Sequence, residues 1–196
     1  YTARSGSITV NQIPSVSIIP SISQEGWSIC SGEVTNILLS VSIQGSTIHW
    51  QAYPQGNLFN EALTGSTSTI SQTWINNGIE PQNVVYRVFA EKNGCYSDTL
   101  QQMLQVKPKP VLISDLSIDI CENEIVFYSP QGWIPSTNYS WSRLNSPGWS
   151  SISPSTGNDD VIEQFFSNVS QTTEVIYVLN GNLDNCFSVD SLIVTI

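Results

Sequence analysis

An all-β chain of two tandem sandwich domains is what the sequence predicts. Three observations point there: short runs of alternating apolar and polar residues, an internal repeat, and a composition suited to pleated sheets. Val, Ile, Tyr, Phe, Trp and Thr are abundant. Only 11% of the 196 residues are charged, and Ser, Thr, Asn and Gln take the surface instead. No segment repeats apolar residues at i, i+3, i+4 and i+7 for long enough to make a helix.

The repeat carries most of the case. Cys30 and Cys121 stand 91 residues apart, as do Cys95 and Cys186, Trp50 and Trp141, Tyr86 and Tyr177, and Tyr96 and Phe187. Ile70-Ser71-Gln72-Thr73-Trp74 faces Ile162-Glu163-Gln164-Phe165-Phe166 at an offset of 92. Each half is therefore one copy of a unit of about 90 residues, the size of an immunoglobulin-like sandwich. Ser7-Ile8-Thr9-Val10 resembles Met103-Leu104-Gln105-Val106 and the Ser191–Ile196 end of the chain. Residues 1–12 accordingly read as the last strand of a preceding repeat, 13–107 as a first complete repeat and 108–196 as a second. The joints fall at Ile13-Pro14 and Lys107-Pro108-Lys109-Pro110, where proline fixes φ and stiffens the connection.

The strands follow from alternation and turn residues. In the first repeat they are expected at Val16–Ile19, Val34–Ile43, Thr47–Tyr53, Thr67–Trp74, Val84–Glu91 and Tyr96–Val106. In the second they are expected at Val111–Ile113, Glu124–Tyr128, Asn138–Arg143, Asp160–Phe166, Val175–Leu179 and Phe187–Ile196. Asn76-Asn77-Gly78, Lys92-Asn93-Gly94 and Asn180-Gly181-Asn182 are the turn chemistry between them, since Asn and Gly tolerate positive φ. Alternation sets Ile48 and Trp50 on one face and His49 on the other, and Tyr139 and Trp141 repeat the apolar pair.

Four cysteines allow three pairings. Repeat symmetry favours one disulfide per domain, Cys30–Cys95 and Cys121–Cys186, each closing a long loop. Structural disulfides imply an oxidising, exported location. No CxxC or Cys/His cluster supports a metal site in their place.

At this point a family resemblance emerges. Ile29-Cys30-Ser31-Gly32, Ile70-Ser71-Gln72, Val85-Tyr86-Arg87-Val88 and Asn93-Gly94-Cys95, followed by a Pro-bearing joint, resemble the PKD-like repeats of Bacteroidota surface proteins. The second copy offers Asp119-Ile120-Cys121-Glu122 and Asp184-Asn185-Cys186-Phe187. Trp50-Gln51-Ala52-Tyr53 and Trp141-Ser142-Arg143-Leu144 keep only the Trp of the Trp-Asp-Phe-Gly-Asp-Gly strand of ordinary PKD domains, so the resemblance is to the Cys-containing variant. It implies a long, repetitive protein of the bacterial cell surface. Such proteins are similar to gliding-motility adhesins and surface fibres exported by type IX secretion, in which these repeats serve as stalks and spacers.

The formal net charge of −10, with six Lys and Arg, offers no basic stripe for nucleic acid or an anionic membrane. No run of 18 apolar residues exists to span a bilayer. A catalytic site needs a nucleophile with a base, a carboxylate pair or a metal. The lone His49 sits on a strand with no Ser-His-Asp set, so no catalytic residue and no obligatory cofactor are assigned. Trp27, Trp133 and Trp149 fall outside the repeated core pattern and are the candidate contacts to glycan or partner protein; capping of the sandwich is the alternative. Asn158, Asp159 and Asp160, after Gly157, form an oxygen-rich loop that suits a hard cation such as Ca²⁺, with a plain acidic turn the alternative. Asp115 and Asp119 are a second acidic pair near the joint. Thr99 and Ser191, in Asp98-Thr99-Leu100 and Asp190-Ser191-Leu192, look like O-glycosylation acceptors at matching places. The expectation is a non-catalytic stalk or spacer whose partners are neighbouring repeats, a surface glycan or protein, or further copies in a filament. Accessory domains of a secreted enzyme are the remaining alternative.

Overall fold

The computed structural model describes residues 6, 8–19, 26–144, 150–151, 153–158 and 161–196. Every regular element among them is a strand, and the chain divides into two compact units, Tyr1–Lys107 and Pro108–Ile196.

The first unit holds β1 (Val16–Ile19), β2 (Ser28–Cys30), β3 (Ile37–Val41), β4 (Thr47–Pro54), β5 (Leu58–Phe59), β6 (Thr64–Gly65), β7 (Thr69–Ile70), β8 (Ile75–Asn76), β9 (Gln82–Lys92), β10 (Cys95–Tyr96) and β11 (Leu100–Lys107). One sheet has the order β1–β3–β7. The other has the order β2–β11–β9–β4–β6, with β10 folded back on β9. Alternate residues of both sheets meet in the core: Ile37, Leu39 and Ile70 from one, Trp50, Val84, Tyr86, Val88, Leu104 and Val106 from the other. This period of two is what the sequence pattern encodes.

The second unit repeats the plan with β12 (Ser117–Asp119), β13 (Ile125–Tyr128), β14 (Asn138–Arg143), β15 (Thr156–Gly157), β16 (Ile162–Phe165), β17 (Glu174–Leu183) and β18 (Cys186–Thr195). Its sheets are β12–β18–β17–β14–β15 and β13–β16. Val126, Ile162, Tyr177, Leu179, Leu192 and Val194 fill its core.

Each core contains a buried polar chain. In the first unit Trp74 Nε1 donates to Tyr86 Oη at 2.7 Å, and Tyr86 donates to Gln72 Oε1 at 2.7 Å. In the second, Phe166 replaces the tryptophan, and the buried Arg143 supplies a donor instead. Its guanidinium bonds Gln164 Oε1, which also accepts from Tyr177 Oη at 2.9 Å. Burial pushes both Tyr86 and Tyr177 up to about 12, against smaller opposing effects of Trp74 and Arg143 respectively.

Several expectations are corrected. The Asn180-Gly181-Asn182 turn is interior to β17. The hairpin turns instead at Asp184 and Asn185, which have φ of 48° and 66°. The Val111–Ile113 strand reduces to one bridge, Leu112 to Gly132. The Thr67–Trp74 strand shrinks to β7 and a bridge at Thr73. Two parallel strands were missed. β2 lies beside β11, and β12 lies beside β18.

Those parallel strands overturn the cysteine pairing. Cys30 and Cys186 are disulfide-bonded, whereas Cys95 and Cys121 are free, so neither Cys30–Cys95 nor Cys121–Cys186 forms. The register gives the reason. Cys30 lies opposite Lys107, next to Val106, which faces Gln82 at the start of β9; Cys95 faces Lys92 at its end. In the second unit Ile120 donates to Thr195, which faces Glu174 at the start of β17, while Cys186 faces Leu183 at its end. Nine or ten strand residues at ~3.3 Å each separate the cysteines of one repeat by about 30 Å. Bridged cysteines have Cα atoms within ~7 Å.

Candidate functional site

The richest side-chain chemistry lies on the outer face of the first unit's larger sheet. On β4 the outward residues are His49, Gln51 and Tyr53; on β9 they are Arg87 and Phe89; on β11, Gln101. Strand register turns this into rows. Gln51, Arg87 and Gln101 stand side by side across three strands, and His49 stands opposite Phe89. The His49 and Phe89 rings stack at 4.9 Å and 20°, and Tyr96 adds a third ring 6.2 Å from Phe89. The Arg87 guanidinium carbon sits 4.7 Å from the Tyr53 ring centre, a cation–π contact that orients it. Tyr53 Oη donates to Gln51 Oε1 at 2.8 Å.

A groove of about 830 Å³ runs over this face, walled on one side by Thr64, Gly65 and Ser66 and on the other by Thr99. The wall is close because β6 pairs with β4 at Trp50, and glycine is required there. A Cβ on Gly65 would lie 2.2 Å from the Trp50 indole, and one on Gly157 2.6 Å from Trp141. Arg87 and the chain's only histidine line the groove, and no Asp or Glu does among the described residues. For a chain of formal net charge −10 this is a local inversion of character. The row can orient a planar anion and offer amides and hydroxyls around it.

The sequence-predicted sites fare differently. Trp27 is half-buried against the first core at φ 60°, and its carbonyl accepts from Gln105 N at 2.9 Å. Trp133 is 58% exposed. Trp149 lies outside the described residues, as do Asp159 and Asp160. Asn158, Asp115 and Asp119 are exposed, and no group of three His, Cys, Asp or Glu gathers for a metal among the described residues. Thr99 and Ser191 are both exposed but not at matching places. Leu100 faces Val88, whereas the equivalent Leu179 faces Asp190. Thr99 falls in the break between β10 and β11, while Ser191 lies within β18. The groove itself was missed. Alternation sets His49 on an outward strand face, but its neighbours Arg87 and Phe89 come from a strand about 40 residues on, and only register shows them.

Comparison with known proteins gives one family match: residues 27–110 match the model described as "PKD-like domain". The first repeat is thus similar to a PKD-like domain over that stretch. No curated protein matches. Among solved structures, the chain is similar to the I-band fragment I67–I69 from titin, with 17% identity and a TM-score of 0.42, over 94% of this chain and 66% of that one. It is also similar to the insect immune protein hemolin, with 13% identity and a TM-score of 0.40, over 90% of this chain and 46% of that one. The chain therefore spans about two thirds of the titin fragment's length.

Proposed function

We propose that this chain is a structural spacer segment, two tandem domains long, of a large repetitive protein of the bacterial cell surface, an adhesin or surface filament, and that it is non-catalytic. The supporting observation is the path of the backbone through each unit. In the first, the incoming chain lies at the β9–β10 hairpin, where Asn11 Nδ2 donates to the Asn93 carbonyl at 3.4 Å. It leaves at Lys107, beyond Val106, which faces the first residue of β9. In the second, the Pro110 side chain packs at Gly181, near the hairpin end of β17, and β18 runs out to Thr195 opposite Glu174 at the other end. Each unit is thus entered at one pole and left at the other.

Two further facts agree with this reading. The disulfide fits an oxidising, exported location. The surface is acidic and rich in neutral polar residues, which keeps a long exposed protein soluble.

Single-molecule pulling tests the proposal. With the disulfide reduced, two separate unfolding events are expected, each releasing roughly 300 Å of chain for about 90 residues at ~3.5 Å apiece, less the folded height. A single merged event, or extension without resistance, would count against it.

A further inference from the structure

Among the described residues, the side chains that line the groove on the first repeat are not repeated on the second, although the strands beneath them are the same. Register aligns Ser142, Val178 and Ser191 with the Gln51–Arg87–Gln101 row, and Ser140 and Asn180 with His49 and Phe89. A sandwich of this plan therefore forms with small neutral residues on that face. The first repeat carries a cation, stacked rings and paired amides there without the fold requiring them.

From this we infer that the groove is a binding site for an acidic saccharide of the uronic-acid type. The inference goes beyond the spacer reading and stands independently of it. Three features define the ligand. Arg87, exposed and held over Tyr53, presents its planar fork toward a carboxylate. The absence of Asp and Glu from the described lining removes competing anions. Gln51, Gln101 and the Thr64, Ser66 and Thr99 hydroxyls match the mixed donor and acceptor edge of a sugar, while the rings supply apolar faces. The groove's volume of about 830 Å³ suits more than one sugar ring. A peptide partner would instead call for deep apolar pockets, and this lining is amide- and hydroxyl-rich.

The test is titration of the isotope-labelled protein with hexagalacturonate. Maltohexaose serves as the neutral control and hexa-aspartate as the anionic peptide control, all read by amide chemical shifts. Hexagalacturonate is expected to shift His49, Gln51, Arg87 and Gln101 but not Ser140, Ser142 or Val178, and to bind at least about tenfold more tightly than either control. Arg87→Gln is expected to weaken it about tenfold or more while core amides stay unmoved. His49→Ala is expected to weaken hexagalacturonate and maltohexaose alike. The inference is overturned if the uronate leaves the face unperturbed, if Arg87→Gln binds as the parent does, or if hexa-aspartate binds as tightly.

Discussion

Gly65 and Gly157 hold their positions by contact, since each lies under an indole ring with no room for a Cβ. Gly65→Ala and Gly157→Ala are each expected to destabilise their own repeat by about 1–3 kcal/mol, the usual cost of overpacking, measurable by denaturant melting. Trimming Trp50 to Leu should relieve the Gly65→Ala clash. The buried tyrosines make a second prediction. Tyr86→Phe leaves the Trp74 indole N–H and the Gln72 carbonyl oxygen each short of a partner, and a loss of about 1–3 kcal/mol is expected. The same residues set the alkaline limit. Tyr86 and Tyr177 rise to about 12 in the fold against 10.0 unfolded. Their contribution is complete below pH 10 and is lost as pH rises through the folded value. Melts between pH 9 and 12 should therefore show falling stability above pH 10, and less fall in the double Phe variant.

At the scale of the element, the first cysteine of each repeat opens a turn that is built twice. Glu33 N donates to Cys30 O at 3.0 Å, and the Glu33 carboxylate accepts from Cys30 N at 2.9 Å. Glu124 and Cys121 do the same at 3.2 and 2.8 Å. Gly32 and Asn123 take the positive φ this turn needs, 86° and 67°. Glu33→Ala should cost about 1 kcal/mol and loosen the end of β2, seen as faster amide exchange at Cys30. Long strands such as Gln82–Lys92 were legible in the sequence because alternation persists over many residues. Ser28–Cys30 was not, because three residues cannot show a period. That omission produced the cysteine error. Equal spacing of Cys30 to Cys95 and Cys121 to Cys186 shows that the cysteines occupy equivalent places; it does not show that those places adjoin. Peptide mapping without reduction is expected to find Cys95 and Cys121 alkylated and no Cys30–Cys95 or Cys121–Cys186 linkage.

For the molecule as a whole, the repeat in the sequence predicts two copies of one sandwich plan, because core positions such as Tyr86 and Tyr177 are paired by the fold. The groove stays hidden from the same comparison, because it depends on where the copies differ: His49, Arg87 and Phe89 against Ser140, Val178 and Asn180. One feature of the backbone has mechanical weight. Along β2 and β11, Gln105 N donates to Trp27 O and Ser31 N to Lys107 O; along β12 and β18, Ile193 N donates to Leu116 O and Ile120 N to Thr195 O. These strands run parallel, one close behind the unit's entrance and the other leading to its exit. With the disulfide reduced, tension along the chain slides such a pair lengthwise. Its hydrogen bonds bear the load together, in shear, and do not peel open one at a time. Once the disulfide is reduced, resistance to stretching is thus set by two short parallel contacts, and each repeat carries its own.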